Sequence, residues 1–139
     1  MTQEVELRII KPEEIFQYWD ELSRSDIAKL YPVSDLAWQF GKVASKELSA
    51  VGFFRSDRLE GMVIFDTRQM PGPNGTVSLQ AVTQQIYAPF NARKFLPMFL
   101  DQLKACGYTK LGGATVRDGS AMARLFGFKV VYTYIEKEL

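Results

Sequence analysis

A mixed-sheet α/β domain, in the order β-α-α-β-β-β-α-β-α-β, is the fold class this 139-residue sequence predicts, and three observations carry it. Val5, Leu7 and Ile9 alternate with Glu4, Glu6 and Arg8, the period-two pattern of a strand with one buried face. Two apolar runs, Leu48 to Phe54 and Leu59 to Thr67, are joined by Arg55-Ser56-Asp57-Arg58, a hydrophilic link of hairpin length, so they pair antiparallel. From Thr76 to Glu136 the chain reads as strand, abrupt turn, amphipathic helix, short strand, short helix and last strand, which places a helical crossover between the fourth and fifth strands.

The elements follow in order. Lys11-Pro12 ends the first strand, and Pro12 suits the first turn of a helix because its missing N–H has no partner to lose there. Glu13 and Glu14 favour the positive helix end, and Ile15, Tyr18, Trp19 and Leu22 recur at helical spacing. Ser25 to Leu30 reads as a short helical turn interrupted at Tyr31-Pro32, and Ser34 or Asp35 caps a helix carrying Leu36, Phe40 and Val43. After the hairpin, Met70-Pro71-Gly72-Pro73-Asn74-Gly75 concentrates turn formers, and Thr76 to Tyr87 is a third antiparallel strand. Asn91 caps a helix with Phe95, Phe99 and Leu103 in one stripe, closed by Gly107 in a left-handed conformation. Leu111 to Val116 is a strand, a short helix starts at Asp118 or Ser120 and ends at Gly127, and Val130 to Ile135 is the last strand. The apolar stripes predict a core of Leu7, Ile9, Trp19, Val63, Phe65, Leu79, Ile86, Phe99, Leu103, Phe128 and Val131.

The length fits a single domain, residues 1–139, with one core that needs no disulfide or metal. With 17 basic and 16 acidic residues the net charge is +1, which argues against a general attraction to nucleic acid or anionic membrane. Cys106 is the only cysteine and histidine is absent, so there is no intrachain disulfide, no cysteine-based zinc site and no histidine base; no metal is expected. No run approaches the ~20 apolar residues of a membrane span, and the first residues do not pair a basic region with an apolar one, so a soluble protein of the cytoplasm is expected.

The order of elements resembles the acyl-CoA N-acyltransferase (GNAT) superfamily, and three segments carry the resemblance. Leu59-Glu60-Gly61-Met62-Val63-Ile64-Phe65 is similar to the family's third strand, and Ile86-Tyr87-Ala88-Pro89 to the end of its fourth. Asp118 to Phe128, ending in Gly127-Phe128, resembles its last helix. The resemblance implies a GNAT fold and an acyl-CoA, such as acetyl-CoA, as co-substrate, with an amine as acceptor. It further implies that Ile86, Tyr87 and Ala88 hold the pantetheine arm and that Ala92, Arg93, Lys94 and Phe95 lie at the pyrophosphate turn. Placing Pro89 on the family's proline puts Ala92 where an arginine or glutamine is usual, and Arg93, Phe95 and Pro97 where glycines are usual. Glycine serves there because a backbone without Cβ lets a phosphate approach closely.

Two functions follow from that departure. In the first, Arg93 and Lys94 replace the glycine turn as charged phosphate ligands at a helix start, and the protein acetylates an amine that attacks the thioester directly. In the second, the chain is a catalytically inactive GNAT-fold binding or structural protein with a protein partner, similar to compact GNAT-like products of tailed phages, and its place is the virion. The Phe95 ring discriminates them: across or beneath the turn it blocks the site, whereas turned into the core it leaves the groove open. A third reading, a nucleic-acid-binding domain using Arg93, Lys94 and Lys110, is disfavoured by the near-neutral charge. No tyrosine lies between Asp118 and Phe128, where many family members carry one to protonate the leaving thiolate. No carboxylate lies between Thr76 and Pro89, so Glu60 and Asp66 are the distant candidates for a base, and no catalytic residue is assigned.

Overall fold

The computed structural model describes residues 4–24, 33–87 and 92–113 together with Lys129, Lys137 and Glu138, with backbone alone at 84–87 and 92–94. The expected helical turn at 25–30, the helix from Asp118 or Ser120 to Gly127, the last strand and the core positions Phe128 and Val131 lie outside the described residues, as does the Ile86 side chain.

The first strand, β1, spans Glu6–Ile10. Pro12 opens a 3-10 helix, Pro12–Tyr18, that continues as α1, Trp19–Ser23, and α2 covers Val33–Ala44. Next come β2, Ser49–Arg55, and β3, Arg58–Pro71. A 3-10 turn, Pro73–Gly75, leads into β4, Val77–Tyr87, which is followed by α3, Ala92–Ala105, and β5, Tyr108–Gly113. The strands form one sheet in the order β1-β2-β3-β4-β5. Every neighbouring pair is antiparallel except β4 and β5, which run parallel because α3 carries the chain back across the sheet.

Local chemistry explains the ends of these elements. Between Arg55 and Arg58 the chain turns on Ser56 and Asp57, both at positive φ (52° and 61°), the mirror-image turn whose twist matches the paired strands. Arg8 donates to the Asp57 carboxylate at 2.8 Å and ties this turn to the edge strand. Gly107 closes α3 at φ 88°, as its position after the last apolar residue of the stripe predicts. β3 is longer than the expected Leu59–Thr67. It continues to Pro71 because β4 pairs with it through Met70↔Ser78 and Pro71↔Val77, beyond the end of β2.

Alternation along β2 and β3 divides the core into two faces. Ala50, Phe54, Met62 and Ile64 meet Ile15, Leu22, Leu36, Phe40 and Val43 from the first helices. Val51, Phe53, Val63, Phe65 and Ala81 meet Phe95, Phe99 and Leu103 of α3. Phe53 stacks on Phe95 with ring centroids 4.9 Å apart, and Phe65 meets Phe99 edge-on at 5.5 Å. Helices thus cover both faces of the central strands, which is why Ala50 to Phe54 is one uninterrupted buried run.

The edge strand departs from expectation. Ile9 is 70% exposed, whereas its neighbour Ile10 is buried with the first helices. The stripe of α3 ends over β2, β3 and β4, so β1 extends past its cover and the Val5, Leu7, Ile9 face is only partly buried. Trp19 and Leu79 are half-buried for the same kind of reason, each at the margin of a face rather than beneath a helix. Val63, Phe65, Phe99 and Leu103 are buried as predicted.

Candidate functional site

β4 is the strand on which the site is built, because among the described residues it has two partners along its first part and one along its last. Leu79 to Thr83 pair with Tyr108 to Gly113 of β5, and Gly113 is the last described residue of that strand. On the other side β4 stays paired with β3 to its end, with Ile86 opposite Val63 and Tyr87 opposite Met62. The register gives Ile64↔Gln85 but Phe65↔Thr83, which makes Gln84 an extra residue, a β-bulge. A bulge bends its strand, and this one falls just past the last described pair with β5. From Gln84 to Tyr87 the β5-side edge of β4 therefore has no strand partner among the described residues.

Two glycines set how closely the strands approach at the last described pairs. A Cβ on Gly113 would run into Thr83 Oγ1, and one on Gly112 would come within 3.2 Å of Gln80 Nε2. The Thr83 hydroxyl donates to the Gly112 carbonyl at 3.3 Å and holds the two strands together there. The sequence reading did not single out Thr83, Gln84 or this glycine pair. The available signal was Gly112-Gly113 at the end of a short strand, where paired glycines mark close backbone approach.

The carboxyl ends of two parallel strands are the usual place for a ligand in a sheet with a crossover helix, and β4 and β5 run parallel toward this end. α3 starts there, and within an α-helix that begins at Ala92 the N–H groups of Ala92, Arg93 and Lys94 have no intrahelical partner. Its first turn has no acidic residue and carries Arg93 and Lys94 instead. Two bases at the positive end of a helix are locally unfavourable, and an anion bound at that end reverses the sign. Ala92, Arg93 and Lys94 thus share one end of the sheet with Ile86 and Tyr87, while Ala88, Pro89 and Asn91 lie outside the described residues.

Phe95 is the residue whose placement the structure resolves most sharply. Its side chain is 4% exposed and stacked on Phe53, so the ring lies in the core under α3 and its surface is not available to a ligand. The side chain of this expected cofactor residue supports the helix from below, and a backbone contact is what the position retains. Pro97 also acts differently from what its place in the glycine pattern implies. It is the sixth residue of α3, so the N–H it lacks would have bonded the Arg93 carbonyl within the helix. The N–H groups of Ala92, Arg93 and Lys94 are unaffected.

The two distant carboxylates separate. Asp66 sits opposite Val82, toward the β3–β4 hairpin, and pairs with Arg68 at 3.5 Å. Glu60 precedes Met62 by two residues and so lies at the end of the sheet where β4 finishes. Leu59 opposes Phe54 and Gly61 opposes Phe53, so Glu60 is the extra residue of a second bulge. Its carboxylate meets Arg55 Nε at 3.1 Å, with both side chains about three-tenths exposed or less. Arg55 Nε is desolvated and its alignment to Glu60 is too poor for a hydrogen bond, so the attraction is the Coulombic one. The other expected polar candidates, Tyr132 and Tyr134, lie outside the described residues. A cavity of about 310 Å³ lined by Ile9, Val51, Phe65, Leu79 and Cys106 lies near the other end of α3, remote from the helix start.

No family model matches the chain and no curated protein sequence matches it. Solved structures do match over nearly its whole length. A predicted acetyltransferase from Clostridium acetobutylicum, solved with acetyl-CoA, shares 13% identity at a TM-score of 0.65, covering 97% of this chain and 96% of its own. The aminoglycoside antibiotic 6'-N-acetyltransferase AAC(6')-Ih from Acinetobacter baumannii shares 13% at 0.62, covering 98% and 99%. A transcriptional regulator from Bacillus halodurans shares 15% at 0.64, covering 98% and 100%. Identities this low establish architecture, and the architecture is that of the acyl-CoA N-acyltransferases: the chain has the GNAT fold.

Proposed function

We propose that this GNAT-fold protein is an acyl-CoA-dependent N-acyltransferase that moves an acetyl group from acetyl-CoA to an amine. The observation that carries the reading is the bulged end of β4, Gln84 to Tyr87, whose β5-side edge has no strand partner among the described residues, beside an α3 start whose Phe95 ring is in the core. An extended pantetheine arm, which carries amide N–H and C=O groups, adds to that edge as a strand would, along Gln84 to Tyr87 and on to Ala88. The pyrophosphate then meets the N–H groups of Ala92, Arg93 and Lys94, with the two basic side chains supplying the charge that a glycine turn would supply through backbone contacts alone.

The chemistry follows from this placement. The neutral amine attacks the thioester carbonyl, a tetrahedral intermediate forms, and the C–S bond breaks to release CoA as a thiolate that takes up a proton. Burial of the thioester between the two separated strands keeps water from the carbonyl and orients the attack. Glu60 is a carboxylate at this end of the sheet, as are Asp57 and Glu6, and in this reading it accepts through a water the proton lost by the amine. An acceptor amine of low pKa reacts after losing its proton to solvent.

Titration with acetyl-CoA by calorimetry tests the proposal. Binding in the micromolar range is expected, and Arg93→Ala with Lys94→Ala should weaken it by about 2–4 kcal/mol, the loss of two charge-assisted contacts. A pyrophosphate-free pantetheine analogue should be affected much less. Saturable binding with no acetyl transfer to any amine would favour the alternative, an inactive GNAT-fold partner-binding protein, which the replaced glycines at positions 93, 95 and 97 support. No measurable binding would remove the enzyme reading.

A further inference from the structure

We infer that β1 pairs with β1 of a second copy of this chain, antiparallel about a twofold axis at Leu7, to give a homodimer with one continuous sheet. β1 is the end strand of the sheet and has a partner, β2, on one side only among the described residues. Such an edge presents unpaired backbone N–H and C=O groups, and monomeric proteins blunt it with proline, a bulge or an inward charge. Glu6–Ile10 has no proline and no bulge: its register to β2 is regular, its charges Glu6 and Arg8 are opposite in sign, and its face on the α3 side is Val5, Leu7 and Ile9, with Ile9 70% exposed.

The strand is complementary to itself in one register. In an antiparallel pair whose axis is normal to the sheet, opposed residues share a face, so the axis must pass through a residue position. At Leu7 it sets Glu6 against Arg8 twice, Val5 against Ile9 twice and Leu7 against Leu7. An axis at Arg8 would oppose two arginines, and one at Glu6 would oppose two glutamates, each a like-charge pair at close range. Within one chain Arg8 already bonds Glu6 at 2.9 Å and Asp57 at 2.8 Å, on the exposed outer surface, so its guanidinium is held over β1 where the second Glu6 arrives. The Phe54 ring beneath it, 4.8 Å from Arg8 Cζ, fixes that position. The exposed Ile9 is covered by Val5 of the second copy, which gives the apolar stripe of the edge strand the partner that α3 does not reach to provide.

Sedimentation equilibrium over a wide concentration range, with circular dichroism to confirm folding, tests the register as well as the dimer. The protein should self-associate to a dimer, and Ile9→Lys, a change at an exposed side chain, should weaken association about tenfold or more. Glu6→Lys and Arg8→Glu each put like charges opposite at two places and should be monomeric alone. Mixed in equal amounts they restore two opposite-charge contacts, and a heterodimer should form. A monomer at all concentrations overturns the inference. A dimer indifferent to Ile9→Lys, or two charge variants that fail to rescue each other while both are folded, overturns it as well, because association then uses another surface or register.

Discussion

Phe95→Ala examines the point at which the two functional readings of this chain divide. The ring is 4% exposed and stacked on Phe53 at 4.9 Å with 29° between the planes, so its removal deletes a buried aromatic side chain from the core face under α3. Buried Phe→Ala changes cost about 3–5 kcal/mol. Phe95 is the fourth residue of its helix, where the first turn can settle partly into the space, so the lower end, about 3 kcal/mol, is expected. With a urea m-value of about 2 kcal/mol/M for a chain of this size, the midpoint falls by roughly 1.5 M. A double-mutant cycle with Phe53→Ala should return a coupling of about 0.5–1.5 kcal/mol for the stacked pair. The companion variant Phe95→Leu keeps most of the apolar volume and should cost under about 1.5 kcal/mol. Because the ring does not reach the helix surface, acetyl-CoA affinity of folded Phe95→Leu should stay within about threefold of the unchanged protein, under 1 kcal/mol. A loss below about 1 kcal/mol for Phe95→Ala, with no coupling to Phe53, would show that the ring is not in the core. A tenfold drop in cofactor affinity for Phe95→Leu would place it in the binding groove instead.

Gly113→Ala should cost about 1–3 kcal/mol, since its Cβ has no room beside Thr83 Oγ1, and Thr83→Ala in the same chain should recover most of that; strict additivity in chemical denaturation would refute the close approach. The Glu47 carboxylate is held below its usual pKa by the Ser45 hydroxyl, which donates at 2.8 Å, and then by Lys42 at 3.1 Å. A carboxyl depressed in the folded state stabilises above its unfolded pKa, about 4.3, and loses that contribution as pH falls through the folded value. The difference in melting temperature between the protein and Glu47→Gln should therefore be present at pH 7 and shrink by pH 3. An equal difference at both would show that the ion pair contributes nothing. Removing the paired bases with Arg93→Ala and Lys94→Ala should leave the melting temperature of the free protein unchanged or raised, because two cations leave the positive end of α3.

Periodicity along the chain determined the elements. Alternation marked β1, the hydrophilic Arg55–Arg58 link marked the hairpin, and the Phe95, Phe99, Leu103 stripe with Gly107 after it marked α3 to within a residue of its ends. Those signals are local, since they record which side of one element faces away from water. The same locality explains what they missed. Ile9 has the pattern of a core residue and is exposed because coverage of an edge strand depends on how far α3 reaches across the sheet, a distance no spacing within β1 encodes.

The site is where tertiary structure decided most. From sequence, Phe95 and Pro97 stand in place of glycines and read as obstacles to a phosphate. In the fold the ring turns inward onto Phe53, forty-two positions earlier in the chain, and the proline falls past the N–H groups of Ala92, Arg93 and Lys94. Asp66 and Glu60 are equivalent as sequence, and the register of β3 against β4 puts only Glu60 at the open end of the sheet. The bulge at Gln84 and the approach of Gly113 to Thr83 are likewise relations between strands. A chain specifies its elements by the pattern each buries, but a groove is the place where two elements stop touching, and only their assembly determines where that is.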